Sequence, residues 1–260
     1  MIKHSFILLD RVGARTEQQL WHDGITTWNT FLDTPTIRGV STTRKQHHDT
    51  DLLRIKDALW NDNYQAIIKR MPAGEQWRLY DLLHDHACYL DIETTGYYGD
   101  ITVIGVYDGE NSHFFVKGSN LNRDDFITLM RRFQLIITFN GSSFDIPIIE
   151  RYFNVRIPHV HIDLRHVCAR LGYTGGLKAI EAQLGMTRSE AAQGITGADA
   201  VHLWNQWITT REPHHLHTLL AYNEEDIINL EPLARKFIKE LWEKTFVPAN
   251  NPPVRHSVHA

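Results

Sequence analysis

Cys88-Tyr-Leu-Asp-Ile-Glu-Thr-Thr-Gly-Tyr97 is an apolar run that delivers two carboxylates, Asp91 and Glu93, and stops at Gly96. Its continuous apolar start is the mark of a buried central strand. Side chains two apart in a strand point the same way, so both carboxylates face one side. Buried side by side they repel, and the repulsion is relieved by a proton on one of them or by a bound cation. Two solvated acids on a surface strand would fit the same text, so the rest of the chain must separate the two readings.

Downstream the texture is alternating strands and helices. Residues 101–107 and 113–116 read as two more strands joined by a turn at Asp108-Gly109, which makes an antiparallel meander. An amphipathic helix over 121–133 follows, then a strand over 134–139. Residues 144–153 read as a helix with Pro147 in its first turn, and 159–163 as a short last strand. The chain to Phe246 then reads as helices interrupted at 172–176, Gly185, 194–197 and Pro213. This pattern predicts an α/β fold, a mixed sheet wrapped by helices.

Upstream, residues 1–85 read as a mainly helical domain. Thr16 and the apolar Leu20-Trp21 predict a helix ended by Gly24, and Thr27 caps the next. Residues 34–50 read as a polar loop, and 51–70 as a helical stripe with a break at Asn61-Asp62-Asn63. A short helix closes this part before a boundary near His84-Asp85-His86. The second domain spans 86–246, and the tail 247–260, with three prolines and no periodicity, is expected to be disordered.

Composition narrows the class. The 260 residues are 42% hydrophobic and 22% charged, enough to bury a sizeable core. No apolar run approaches the roughly 20 residues that cross a bilayer, so a cytoplasmic protein without membrane contact is expected. Cys88 and Cys168 lack metal or disulfide spacing. A net charge of −4 and a pI near 6.5 give no global attraction for nucleic acid. They leave room for an enzyme that grips phosphates through metal ions and local cations. The 16 histidines include His214, His215 and His217, which lack zinc-site spacing and read mostly as solvated surface.

Two further acidic segments decide between the readings of Asp91 and Glu93. In Thr138-Phe-Asn-Gly-Ser-Ser-Phe-Asp145 a strand runs into a tight turn at Asn140-Gly141, and Asp145 stands at a helix start, where an acid also complements the helix dipole. In Tyr222-Asn-Glu-Glu-Asp226 the first and last residues are one helical turn apart on one face. The ordered set Asp-x-Glu, Asn-Gly-x-x-x-Asp and Tyr-x-x-x-Asp resembles the three exonuclease motifs of the DEDD superfamily in its tyrosine branch. The histidine branch would need His where this chain has Ala221. The text is most similar to the YprB-like, ribonuclease H-like exonucleases, themselves similar to the exonuclease domain of family-B DNA polymerases. The resemblance covers residues 87 to about 245.

The resemblance implies a ribonuclease H-like fold and a metal-dependent 3′–5′ exonuclease acting on a DNA or RNA 3′ end. It implies two Mg²⁺ or Mn²⁺ ions, for which hard oxygen ligands are suited. Asp91, Glu93 and Asp226 would hold the ion that activates water, Asp91 would bridge to the second, and Asp145 would act directly or through water. Tyr222, a poor base at neutral pH, would orient the water. Thr94, Thr95, Gly96, Asn140 and Phe144 would contact the terminal nucleotide, although Phe144 fits a core position equally well. Arg151, Arg156, Arg165, Arg170 and Lys178 could track the strand backbone or lie on solvated faces. A structure-selective endonuclease and a noncatalytic nucleic-acid-binding module are the alternatives. Residues 5–32 also resemble the DNA-binding helix-hairpin-helix, with Arg11 in the region of its first glycine.

Overall fold

The computed structural model describes residues 1–96, 99–190 and 192–248; the expected tail from residue 249 on lies outside them. The chain divides into two compact units, one of Met1–Leu82 together with the segment from Glu240, the other of Leu83–Lys239.

In the first unit, α1 (Ala14–His22) and α2 (Trp28–Asp33) are followed by α3 (Thr42–Trp60), α4 (Tyr64–Ile68), a 3-10 stretch (Ala73–Leu79) and α5 (Tyr80–Leu83). Thr27 caps α2 by accepting the Thr30 amide hydrogen at 3.1 Å, as its sequence position predicts. One expectation needs correction. The loop expected over 34–50 becomes helical from Thr42, because Ser41 accepts the Arg44 amide at 3.3 Å and starts α3 about two and a half turns early. The early part of that helix buries Lys45 and His48 rather than aliphatic residues, which hid its apolar stripe. In the hairpin segment the expected first helix is α1, and a single 3-10 turn, Ile2–His4, precedes it. The Phe6 and Ile7 amides bond to the Glu17 carboxylate at 2.6 and 3.0 Å, not to helical carbonyls. Arg11 does adopt a left-handed φ of 58°, the backbone that glycine favours.

Glu17 and Arg78 form the polar centre of this unit. Both side chains are 1% exposed and meet at 2.8 Å, while Arg78 also bonds Ser5 and Glu75. The guanidinium lies 5.4 to 5.9 Å from the rings of Trp21, Trp77 and Trp242. The Glu17 carboxylate thus accepts from Arg78 and from two backbone amides, and such added hydrogen bonds are a condition for burying the pair without large cost.

The second unit is built on five strands: β1 (Ala87–Thr94), β2 (Ile101–Tyr107), β3 (Ser112–Val116), β4 (Leu135–Thr138) and β5 (Val160–Asp163). They lie in the order β3-β2-β1-β4-β5. The first three form the expected meander, and β4 and β5 add parallel to it. Between and after them come α6 (Arg123–Met130), α7 (Asp145–Phe153), α8 (Leu164–Leu171), α9 (Leu177–Gln183), α10 (Gly197–Thr210) and α11 (Pro213–Thr245). One sheet face, with Cys88, Leu90 and Ile92, packs on Phe126, Ile148 and Ile149 of α6 and α7. The other, with Val103 and Val116, packs on Trp204 of α10 and Leu219 and Tyr222 of α11. The fold class is the expected mixed sheet flanked by helices. No helix among the described residues is long and apolar enough to cross a membrane.

Replacing Glu17 by Ala leaves buried Arg78 with Glu75 as its one carboxylate partner among the described residues and takes the acceptor from the Phe6 and Ile7 amides. Urea denaturation of the full chain, followed by tryptophan emission, should show a loss of about 3–5 kcal/mol in the first unit. A loss below about 1 kcal/mol would mean that water reaches Arg78.

Candidate active site

β1 sits between β2 and β4, so its inner end is dry, and its last residues carry the acids. Glu93 pairs in register with Val103, and Asp91 with Gly105, which places both carboxylates on the α11 face. There Asp226, one turn beyond Tyr222 on α11, joins them. Oxygens of Asp91, Glu93 and Asp226 all lie within 4.8 Å of one another. Asp145 enters from the first turn of α7. β4 pairs with β1 only up to Tyr89, and the Ile92 amide beyond that point donates to Asp145 Oδ1 at 3.1 Å. Three segments distant in sequence therefore bring four carboxylates to one end of the sheet.

Glu93, Asp145 and Asp226 are buried and Asp91 is partly so. Burial, then the charges of Asp145, Asp226 and Glu93, push the Asp91 carboxyl well above the usual range. Burial and the Asp226 charge push Glu93 up to about 8. Burial raises Asp145 to about 7 against the opposing pull of its backbone hydrogen bonds. Burial also raises Asp226, although Arg188 draws it down. The Tyr222 phenol is raised by burial and by the Asp226 charge, so it keeps its proton. Four carboxylates that resist ionising together form a site that lacks positive charge.

The neighbours supply only part of that charge. Arg188 reaches Asp226 with Nη2 and clasps Glu181 of α9 through Nε and Nη2 at 2.7 and 2.8 Å, while its Nη1 is buried without a partner. Lys178 Nζ donates to the Tyr222 hydroxyl at 2.9 Å and also to the Ile195 carbonyl. Burial lowers the Lys178 pKa, while nearby Asp226 acts in the opposite direction. Among the residues expected to track a strand, Lys178 is therefore bound into the site, whereas Arg156 pairs with Glu150 at 3.2 Å.

Asn223 was not among the expected site residues. It is fully buried and its Nδ2 donates to Asp91 Oδ2 at 2.8 Å. Its room comes from Gly105, where an added Cβ would stand 1.9 Å from Asn223 Oδ1. A glycine inside the apolar run Ile101–Tyr107 signals a close approach to the strand, and this is the sequence sign that could have pointed to Asn223.

The expected nucleotide contacts divide. Thr94 is buried, and its hydroxyl donates to the Gly96 carbonyl at 2.8 Å, closing the turn that follows β1. Thr95 is exposed, with Oγ1 accepting the Asp100 amide at 3.1 Å, and Gly96 has a φ of 139°. Phe144 is partly buried and packs on the α6–α7 face of the sheet, the core alternative. Asn140 has a left-handed φ of 70° and accepts from Arg165 and Ser143. Asp163, at the end of β5, holds this turn by accepting the Asn140 and Ser142 amides at 2.7 and 3.1 Å. It caps α8 as well, through the Arg165 amide at 3.0 Å. A cavity of about 510 Å³ opens beside the turn, lined by Asn140, Arg165, Tyr173 and Thr174 among others.

The donor set of Asp91, Glu93 and Asp226 is all oxygen and anionic, which fits Mg²⁺ or Mn²⁺. Gly105→Ala tests how the site is held. The methyl group must displace Asn223 from Asp91, so stability should fall by about 1–3 kcal/mol in urea. Mn²⁺ affinity, read by calorimetric titration, should fall about tenfold or more. Unchanged Mn²⁺ affinity would show that Asp91 needs no support from Asn223.

A family-level comparison matches residues 88–238 to RNase_H_2, of the RNase_H superfamily. No curated protein matches the sequence. Among solved structures, a family B DNA polymerase from Pyrobaculum calidifontis aligns with a TM-score of 0.49 and 16% identity, over 58% of this chain and 24% of the polymerase. The chain thus spans about a quarter of the polymerase's length. The Nibbler EXO domain of Aedes aegypti aligns with a TM-score of 0.44 and 13% identity, over 66% of this chain and 85% of that domain. The match to the family covers more than half of the 260 residues, and the chain belongs to the RNase H superfamily.

Proposed function

We propose that the chain is a metal-dependent 3′–5′ exonuclease that hydrolyses phosphodiester bonds at the end of a DNA or RNA strand. The observation that carries this reading is the meeting of Asp91, Glu93 and Asp226 within 4.8 Å, with Asp145 beside Asp91. Phosphodiester hydrolysis builds negative charge on a group that is already anionic, so the catalyst needs concentrated positive charge and a deprotonated water. Two Mg²⁺ or Mn²⁺ ions supply both when bound.

The side chains divide the remaining work. Asp91, Glu93 and Asp226 would hold the metal, and Asn223 steadies the Asp91 carboxylate through one hydrogen bond. Asp145 would join them directly or by way of water. Tyr222 orients the attacking water. Its phenol stays protonated, and Lys178 occupies a lone pair of the hydroxyl oxygen, so the phenol hydrogen is free to be donated. Arg188 holds Asp226 in place and leaves one guanidinium nitrogen unbonded within the site.

The test uses linear oligonucleotides labelled at the 5′ end, together with a circular single strand. In Mn²⁺ the linear substrate should shorten stepwise from its 3′ end while the circle persists. Asp91→Ala and Asp226→Ala should each lower the rate by about a hundredfold or more. Full activity in either variant overturns the reading, and cutting of the circle makes the enzyme an endonuclease.

A further inference from the structure

The first unit carries a feature that the acidic site leaves unused. Trp60, at the C-terminal end of α3, is 87% exposed, more than any other large apolar side chain described. Tryptophan is on average highly buried, and this one stands beside another exposed apolar residue of the same helix, Leu53. Leu53, Lys56 and Trp60 follow one another at helical spacings of three and four and share a face of α3. Trp60 and Lys56 border a pocket of about 460 Å³ whose lining also includes Lys3, Trp28, Asn29 and Leu59.

The chemistry of this pocket is aromatic and cationic. Trp28 is 2% exposed, and its indole N–H is spent on the Ser5 carbonyl at 2.8 Å, so this part of the wall offers an apolar surface without a free donor. Lys56 is steadied by Asn29 Oδ1 at 2.6 Å, and both residues line the pocket that Trp60 borders. No carboxylate lines the pocket, and neither Lys3 nor Lys56 forms an ion pair among the described residues. An exposed ring and two ammonium groups around one pocket are complementary to a base and its adjoining phosphates. Because the whole chain carries a net charge of −4, attraction for a polyanion has to come from a local patch of this kind.

We infer that this pocket is a second nucleic-acid site, in which Trp60 stacks on a base of a single strand while Lys3 and Lys56 hold the adjoining phosphates. The inference rests on the proposed nuclease reading for its choice of ligand. It adds a grip on the substrate that is separate from the cleavage chemistry, and the sequence tolerance of stacking suits an enzyme that processes ends of any sequence.

Binding and cleavage are measured apart. Anisotropy of a fluorescein-labelled 20-nucleotide oligo(dT) is followed on the full chain carrying Asp91→Asn, in EDTA at several salt concentrations. Trp60→Ala should raise Kd about tenfold or more, and Trp60→Phe should restore most of the loss, since it keeps a stacking face. The double change Lys3→Glu with Lys56→Glu should weaken binding and reduce the salt slope by about 1.4, two phosphate contacts' worth. All these positions are accessible, and unchanged thermal melting confirms folding. Kd values and salt slopes equal to those of the parent in Trp60→Ala and in the double variant overturn the inference. So does Trp60-dependent self-association in sedimentation with no effect on the oligonucleotide, which would assign the face to a protein contact. Trp60-dependent binding by a chain that never shortens a strand in Mn²⁺ would remove the nuclease reading and leave this site standing. Cleavage with Trp60-independent binding would do the reverse.

Discussion

The desolvation of four carboxylates at one end of the sheet is the constraint on which the second unit depends. A lone buried acid is relieved by a proton, but a cluster in which each member raises the others keeps a standing demand for positive charge. The surrounding structure meets that demand in part and then stops. Asn223 gives Asp91 one hydrogen bond, the Ile92 amide gives Asp145 another, and Arg188 divides itself between Asp226 and Glu181. Glu93 ends up with a pKa near 8, the state of an acid whose countercharge is incomplete.

Several backbone choices follow from holding this arrangement. The β1–β2 register places Gly105 opposite Asp91, and the missing side chain admits Asn223 from α11. β4 is short, so that the Ile92 amide is left for Asp145. Gly141 packs so closely on Thr138 that a Cβ there would lie 2.3 Å from the Thr138 hydroxyl oxygen, and Asp163 pins the turn from the other side. The turn that delivers α7, and with it Asp145, is thus fixed by contacts outside the carboxylate cluster.

What could be read in advance follows the range of the interactions. Strand alternation is local, so the common face of Asp91 and Glu93 was legible, as were the meander and the helical spacing of Tyr222 and Asp226. Contacts made by folding were not. Asn223 looks like a polar residue on an acidic helix until Gly105 is placed beneath it. Arg188 and Glu181 lie in a stretch of short helices, and only tertiary packing turns them toward Asp226. The beginning of α3 was hidden for the opposite reason: its buried face is polar, with Lys45, His48 and Asp51 where aliphatic residues would have shown the period. The exposure of Trp60 was equally invisible, because the helical stripe counts an apolar residue as inward.

The central claim, that the buried carboxylates are built to receive cations, is tested most directly by thermal melting across pH, with EDTA and with millimolar Mn²⁺. An acid whose folded pKa lies above its unfolded value contributes stability that is fully present below the unfolded pKa and is lost as pH rises through the folded one. For Asp145 and Glu93 those folded values are about 7 and about 8. In EDTA the second unit should therefore melt at steadily lower temperature from about pH 5 to pH 8, as ionised carboxylates accumulate. Mn²⁺ should raise the melting temperature by an amount that grows over the same interval, and Asp91→Ala should abolish most of that gain. A melting temperature that ignores Mn²⁺ throughout, or a gain equal in the parent and in Asp91→Ala, would contradict the account.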